Sequence, residues 1–248
     1  MMNQKSKWFP FFKPNQNTRI QLFCFPYSGA GASVFLGWRK ILPDFIELIP
    51  VQLPGREERI GERPFTQLPP LIQALAAEIR PYLNYPFAFF GHSMGALISF
   101  ELARYLRRTA QITPTTLFVS GHAAPQVTHH NEPIHHLPNP KFLERVRELN
   151  GTPDDVLQNK ELCTLLLPLI RADFTLCETY HYHADTPLPC PITALGGLTD
   201  PYINRKQLNA WDEQTEDHFI LRMFPGDHFY LNKQHPHLLR VLAQELCH

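Results

Sequence analysis

The chain has 248 residues, 44% of them hydrophobic and 19% charged, with 23 Lys plus Arg against 23 Asp plus Glu. That length supports one substantial core, and the composition is that of a globular chain, not a disordered one. The neutral balance argues against a nucleic-acid binder, which would need a basic surface. No apolar run approaches the ~18 residues of a membrane span, and the run Trp8-Phe9-Pro10-Phe11-Phe12 is too short and Pro-broken for a signal-peptide core. The five cysteines (Cys24, Cys163, Cys177, Cys190, Cys247) are scattered and free of C-x-x-C spacing. They read as reduced thiols of a cytoplasmic protein.

In chain order, a polar N-terminal extension over residues 1–18 precedes the main domain at 19–248. Ile20 to Phe25 is a continuous apolar strand stopped by Pro26 and the loop Tyr27-Ser28-Gly29-Ala30-Gly31. Helical periodicity follows at Val34 to Leu42, then a strand at Ile46 to Gln52, a helix at Leu68 to Leu83 and a strand at Phe87 to Phe90. Met94 to Arg107 reads as a helix and Thr116 to Ser120 as a strand. Continuous apolar strands alternating with helices predict a mostly parallel sheet covered on both faces. From about 126 to 189 the alternation stops. Helical patterns at Lys141 to Leu149 and Glu161 to His181 read as a lid inserted in an α/β core. Strand-helix alternation returns with Ile192 to Gly196, Asn204 to Gln214, Phe219 to Phe224 and Pro236 to Leu246.

The strongest local signal is Gly91-His92-Ser93-Met94-Gly95, between an apolar strand and a helix. G-x-S-x-G in that context is the nucleophile elbow of the α/β-hydrolase fold. The serine sits in a strained turn that leaves room only for small residues two before and two after it. The following helix aims its positive end at the oxyanion. The triad order is Ser, then acid, then His, which selects His228 in the loop after the last strand and Asp200 after the preceding one. Asp227 is the rival acid, but a residue adjacent to the histidine seldom folds back to orient it. The oxyanion hole requires two backbone amides: Met94, and Ser28 from the loop after the first strand, with Gly29 as the fallback.

Other clusters carry weaker signals. His129-His130, His135-His136 and His181-x-His183 lack the ligand spacing of a zinc site and read as solvated or lid-surface histidines. No metal and no diffusible cofactor is needed for the chemistry above. His92 reads as packed under the turn, and Arg56-Glu57-Glu58-Arg59 as a solvated loop. Leu165, Leu166, Leu167, Leu169, Ile170 and Phe174 form a stripe that either lines an acyl channel or packs a core.

Taken together, Phe25-Pro26-Tyr27-Ser28-Gly29-Ala30-Gly31-Ala32, Gln52-Leu53-Pro54-Gly55-Arg56-Glu57-Glu58-Arg59, Gly91-His92-Ser93-Met94-Gly95-Ala96 and Gly226-Asp227-His228-Phe229-Tyr230 resemble the type II thioesterases. These are the stand-alone editing hydrolases of non-ribosomal peptide and polyketide synthesis. The resemblance runs from about Ile20 to Leu246, and its most specific element is the P-G-R-x-x-R loop. Tyr27-Ser28 departs from the His-Ala or His-Ser that members often carry. The resemblance implies hydrolysis of aberrant acyl groups from the phosphopantetheine arms of carrier proteins, with Ser93, Asp200 and His228 as the triad and the helical insertion as the lid. Release of a finished product is the variant reading. From the residues alone, a carboxylesterase or acyltransferase with the same triad stays open. So does a non-catalytic binding module, although such relatives usually lose a triad member. The chain is expected to act as a monomer.

Overall fold

A computed structural model of the chain describes residues 6–127, 132–148, 160–233 and 235–247. Its frame is a six-stranded sheet in the order β2-β1-β3-β4-β5-β6. The strands are β1 (Ile20–Phe25), β2 (Ile46–Pro50), β3 (Phe87–His92), β4 (Thr116–Ser120), β5 (Ile192–Gly197) and β6 (Phe219–Phe224). Every adjacent pair is parallel.

The continuous apolar runs explain this arrangement, because a parallel sheet is buried on both faces. Alternate residues divide between two cores. Phe23, Phe25, Phe87 and Phe89 point to one side, where they meet α1 (Leu68–Ile79) and α2 (Met94–Ala110) through Leu71, Leu75, Leu97 and Phe100. Leu22, Cys24, Ala88 and Phe90 point to the other, against Phe35, Trp38 and the final helix. The helical periodicity read at Val34 to Leu42 corresponds to a 3-10 helix at Ala32–Lys40. In that tighter helix residues three apart eclipse, so Ala32, Phe35 and Trp38 present one buried face to the sheet.

The segment read as an N-terminal extension enters the core at Trp8 and Phe9. Phe9 is 1% exposed and sits edge-on to Phe23 and Tyr82. The Gln52 amide donates to the Trp8 carbonyl just past the end of β2. Burying one such aromatic stabilises the fold by about 1.5–3 kcal/mol.

Between β4 and β5 lie α3 (Asn139–Glu148) and α4 (Lys160–Glu178), with no strand among the described residues. Phe142, Val146 and Ile170 are buried in a small core of their own with Ile134. The expected leucine stripe therefore divides. Leu169 and Ile170 are buried, Leu166, Leu167 and Phe174 pack around that core, and Leu165 is exposed. After β5 come α5 (Arg205–Asn209), capped by Asn204, then α6 (Tyr230–Lys233) and α7 (His235–Glu245).

This topology positions a site. The chain runs from β1 outward to β2 and then returns to β3 on the far side of β1. The loops after β1 and β3 thus open a crevice at the carboxyl ends of the strands, where ligands bind in open α/β sheets.

Candidate active site

Ser93 occupies the turn between β3 and α2 with φ 53° and ψ −118°. A non-glycine residue held there costs about 1–3 kcal/mol, so the surroundings must over-determine it. They do so through backbone contacts. The Ser93 amide donates to the Ser120 carbonyl at the end of β4 (2.7 Å), and the Ala96 amide donates to the Ser93 carbonyl (2.9 Å). A Cβ on Gly95 would lie 2.1 Å from the Phe25 carbonyl oxygen, and one on Gly91 2.1 Å from the Gly95 oxygen. Both glycines of the motif are therefore steric requirements of the turn.

His228 and Asp200 are brought together from the loops after β6 and β5. His228 Nδ1 lies 2.7 Å from Asp200 Oδ2, and the carboxylate is fully buried. Its other oxygen accepts from the Tyr202 and Ile203 amides at 2.8 and 3.1 Å, which fixes its orientation. Asp227 is occupied otherwise, accepting from the Phe229 amide at 2.9 Å. The His228 ring is 5.1 Å from that of His92, the residue before Ser93. Gly121, with φ +60°, separates the two imidazoles; a Cβ there would lie 2.7 Å from the His92 ring and 3.3 Å from that of His228.

Beneath the elbow runs a buried polar chain that sequence reasoning missed. The Tyr230 hydroxyl pairs with Ser120 Oγ at 2.6 Å, and Ser120 Oγ pairs with His92 Nδ1 at 2.8 Å. Burial pushes His92 well below the usual imidazole range; the neighbouring His228 and His122 push the same way, and the His228 carbonyl opposes them. His92 Nε2 is buried and has no hydrogen-bond partner among the described residues. His92 is therefore neutral and fully enclosed under the turn.

The Ser28 and Met94 amides, the two oxyanion candidates, flank the crevice from the β1 loop and the first turn of α2. Neither donates to an acceptor among the described residues. The fallback differs: Gly29 N–H is already committed to Asp173 Oδ2 of α4 at 2.8 Å. The Ala30 amide is committed to the Tyr27 carbonyl. Tyr27, at the position where the sequence departs from its family, packs edge-on against His92 and Phe229.

One expectation is overturned in part. The run Arg56-Glu57-Glu58-Arg59 is solvated at Glu57 and Glu58, but Arg56 is 3% and Arg59 7% exposed. Arg56 is buried by a bidentate pair with Asp173, Nη2–Oδ1 at 2.8 Å and Nη1–Oδ2 at 3.1 Å. Arg59 donates to the Gln52 carbonyl and to Glu62, and its guanidinium lies 4.4 Å over the Trp8 ring. Charged residues enter a core when partners meet their donors, and for Arg56 the charged partner, Asp173, is 117 positions away. An acid on the helix face that also carries Leu169, Ile170 and Leu176 was the available clue to Asp173.

Of the histidine clusters, His129 and His130 lie outside the described residues. His135 is engaged by Glu178, which also receives the Ile134 and His135 amides. Among the described residues no three His, Cys, Asp or Glu side chains group to hold a metal. No helix there is long and apolar enough to cross a membrane.

A parallel sheet, a strained serine turn after β3 and an acid–histidine pair after β5 and β6 define the class: the chain has the α/β-hydrolase fold. A family model described as thioesterase domain matches residues 20–246, and the chain belongs to that family, hydrolases acting on thioesters. It is 46% identical over 245 residues to the gramicidin S biosynthesis protein GrsT of Aneurinibacillus migulanus, covering 99% of this chain and 96% of that protein. Among solved structures, RedJ, the thioesterase of the prodiginine biosynthetic pathway in Streptomyces coelicolor, matches with a TM-score of 0.87 and 38% identity, covering 98% and 94% of the two chains. The type II thioesterase BorB of the borrelidin biosynthetic cluster matches with a TM-score of 0.86 and 35% identity, covering 94% and 95%.

Proposed function

We propose that this protein is a stand-alone editing thioesterase that removes aberrant or stalled acyl groups from the phosphopantetheine arms of carrier proteins in a non-ribosomal peptide or polyketide assembly line. The observation that carries the reading is the His228–Asp200 pair at 2.7 Å beside the strained Ser93 turn. The family match and the 46% identity to a gramicidin S biosynthesis protein over nearly the full length support the assembly-line setting.

In this reading Ser93 Oγ attacks the thioester carbonyl while His228 Nε2 takes its proton. Asp200 holds Nδ1–H and so fixes the tautomer that leaves Nε2 free to accept. The tetrahedral oxyanion receives the Met94 and Ser28 amides, each worth ~10²–10³ in rate. The leaving thiolate, whose thiol pKa lies near ~8.5, departs readily and takes up the proton held by His228, which restores the neutral base. Water activated by His228 then releases the acid from Ser93. The helical insertion at about 126–189 acts as the lid that gates entry of the arm. The enzyme works in the cytoplasm as a monomer.

The test compares hydrolysis of acetyl-phosphopantetheinyl carrier protein with that of a nitrophenyl acyl ester, for native protein and Ser93→Ala. A strong preference for the carrier substrate, abolished by Ser93→Ala, is the expected result. An oxygen ester turned over better, with no gain from the carrier domain, would leave an esterase with the same triad.

A further inference from the structure

The Arg56–Asp173 pair joins three parts of the molecule at one point beside the crevice. Arg56 belongs to the loop after β2, and Asp173 belongs to α4 of the insertion. Both hold the loop after β1: Asp173 Oδ2 accepts from Gly29 N–H at 2.8 Å, and Arg56 Nη1 donates to the Ala30 carbonyl at 3.1 Å. The side chains are 4% and 2% exposed. Gln52 completes the brace, accepting from the Ala32 amide at 2.7 Å and donating to the Arg56 carbonyl at 2.8 Å. Ile170, one turn before Asp173 on α4, packs against Gly29.

We infer that Arg56 and Asp173 are positioning residues for the oxyanion hole, and that through them the docking of α4 sets where the Ser28 amide points. The inference rests on the reading of Ser93 and Ser28 given above. Its physical basis is the peptide between Ser28 and Gly29. Pinning its N–H to a buried carboxylate fixes that planar unit, and the Ser28 N–H belongs to the preceding planar unit, whose Tyr27 carbonyl accepts from the Ala30 amide of the same braced turn at 3.1 Å. Gly29 itself sits at φ +76°, which glycine adopts without strain but also leaves freely, so a hydrogen bond from outside the turn fixes it there.

The charge matters as much as the hydrogen bond. A bare carboxylate this close to the hole would oppose the negative charge developing on the substrate oxygen. The guanidinium bound to it as a two-pronged fork cancels that field while leaving the Gly29 contact intact. Loss of Arg56 alone therefore harms the acylation step more than loss of both partners. A lid helix that swings away would release Gly29 N–H and expose the pair, so the hole is correctly set only with α4 docked.

The experiment measures the burst of Ser93 acylation by a nitrophenyl acyl ester, with melting temperature, for the native protein, Arg56→Met, Arg56→Lys, Asp173→Asn and the double variant Arg56→Met/Asp173→Leu. The double variant removes both buried charges and replaces them by apolar packing, a change that folds tolerate well. We expect each folded variant to acylate on the order of 10- to 100-fold more slowly with KM little changed. The double variant should keep its melting temperature yet stay slow, while acylating faster than Arg56→Met. Affinity for an alkyl trifluoromethyl ketone, whose hemiketal oxygen enters the hole, should fall in parallel. A double variant acylating within about twofold of native, or a loss confined to KM, overturns the inference. Should the double variant fail to fold, Arg56→Lys, which keeps the charge without the fork, decides by the same criterion. Ser93→Ala run alongside separates the two readings: a burst that survives it removes the site itself, whereas its loss beside native-like variants removes only the role of the pair.

Discussion

The turn that carries Ser93 and the loop that carries Ser28 face each other across the same crevice, yet they are held by different means. The serine turn is set by contacts of main chain on main chain: two glycines with no room for a Cβ, and a Ser93 amide tied to the Ser120 carbonyl. The Ser28 loop is held by side chains from afar, Asp173 being 144 positions from Gly29. Steric rules act through adjacent residues and leave a motif in the sequence. Long-range bracing leaves only isolated polar residues, each of which looks ordinary where it stands.

The contrast can be broken first at the turn. Ser93→Ala should lower turnover by on the order of 10⁶-fold with the melting temperature unchanged, because only the hydroxyl is lost. Asp200→Asn should cost about 10⁴-fold in kcat, since the amide keeps the shape of the pair but favours the wrong imidazole tautomer. Steady-state rates on one acyl ester check both, and a loss of similar size in thermal stability would count against either assignment.

The bracing side is sharpened by Trp8→Ala. Trp8 lies under the Arg59 guanidinium, and its carbonyl receives the Gln52 amide. Truncation should destabilise by about 3–5 kcal/mol in a urea titration. An effect below about 1 kcal/mol would mean that the N-terminal segment merely rests on the domain.

The smallest effect concerns the floor of the turn. His92 is held neutral by burial first and by the neighbouring histidines second. Its folded pKa lies below its unfolded value of ~6.5, so between the two the unfolded chain binds a proton that the native chain does not. Its contribution to stability is complete above that value and lost as the pH falls, by up to about 1.4 kcal/mol per pH unit. His92→Gln should flatten the fall in stability between pH 7 and pH 5 relative to the native protein. Matching slopes would show that His92 is not the group responsible.

Most strands were legible because each is a short apolar run ended by a turn residue; Ile20–Phe25, Thr116–Ser120 and Phe219–Phe224 match their predicted limits. The catalytic candidates were legible because each stands at a strand end in a recognisable local frame. Asp173 was not, since one acid within an apolar helix face carries no spacing signal. Arg56 and Arg59 were misjudged because charge in a loop ordinarily means solvent. Nor did Ser120 and Tyr230 stand out, since a buried hydroxyl pair has no sequence period.

By itself, then, the sequence determined the parallel sheet, the serine turn and the strand ends from which Asp200 and His228 meet, because hydrophobic periodicity and steric exclusion operate between near neighbours. Only the tertiary structure decided that Arg56 and Arg59 go inside, that Trp8 and Phe9 join the core, and that α4 reaches the Gly29 amide. Those outcomes depend on which donors and acceptors meet once the chain has closed on itself, and burying a charge becomes acceptable only when that meeting has taken place.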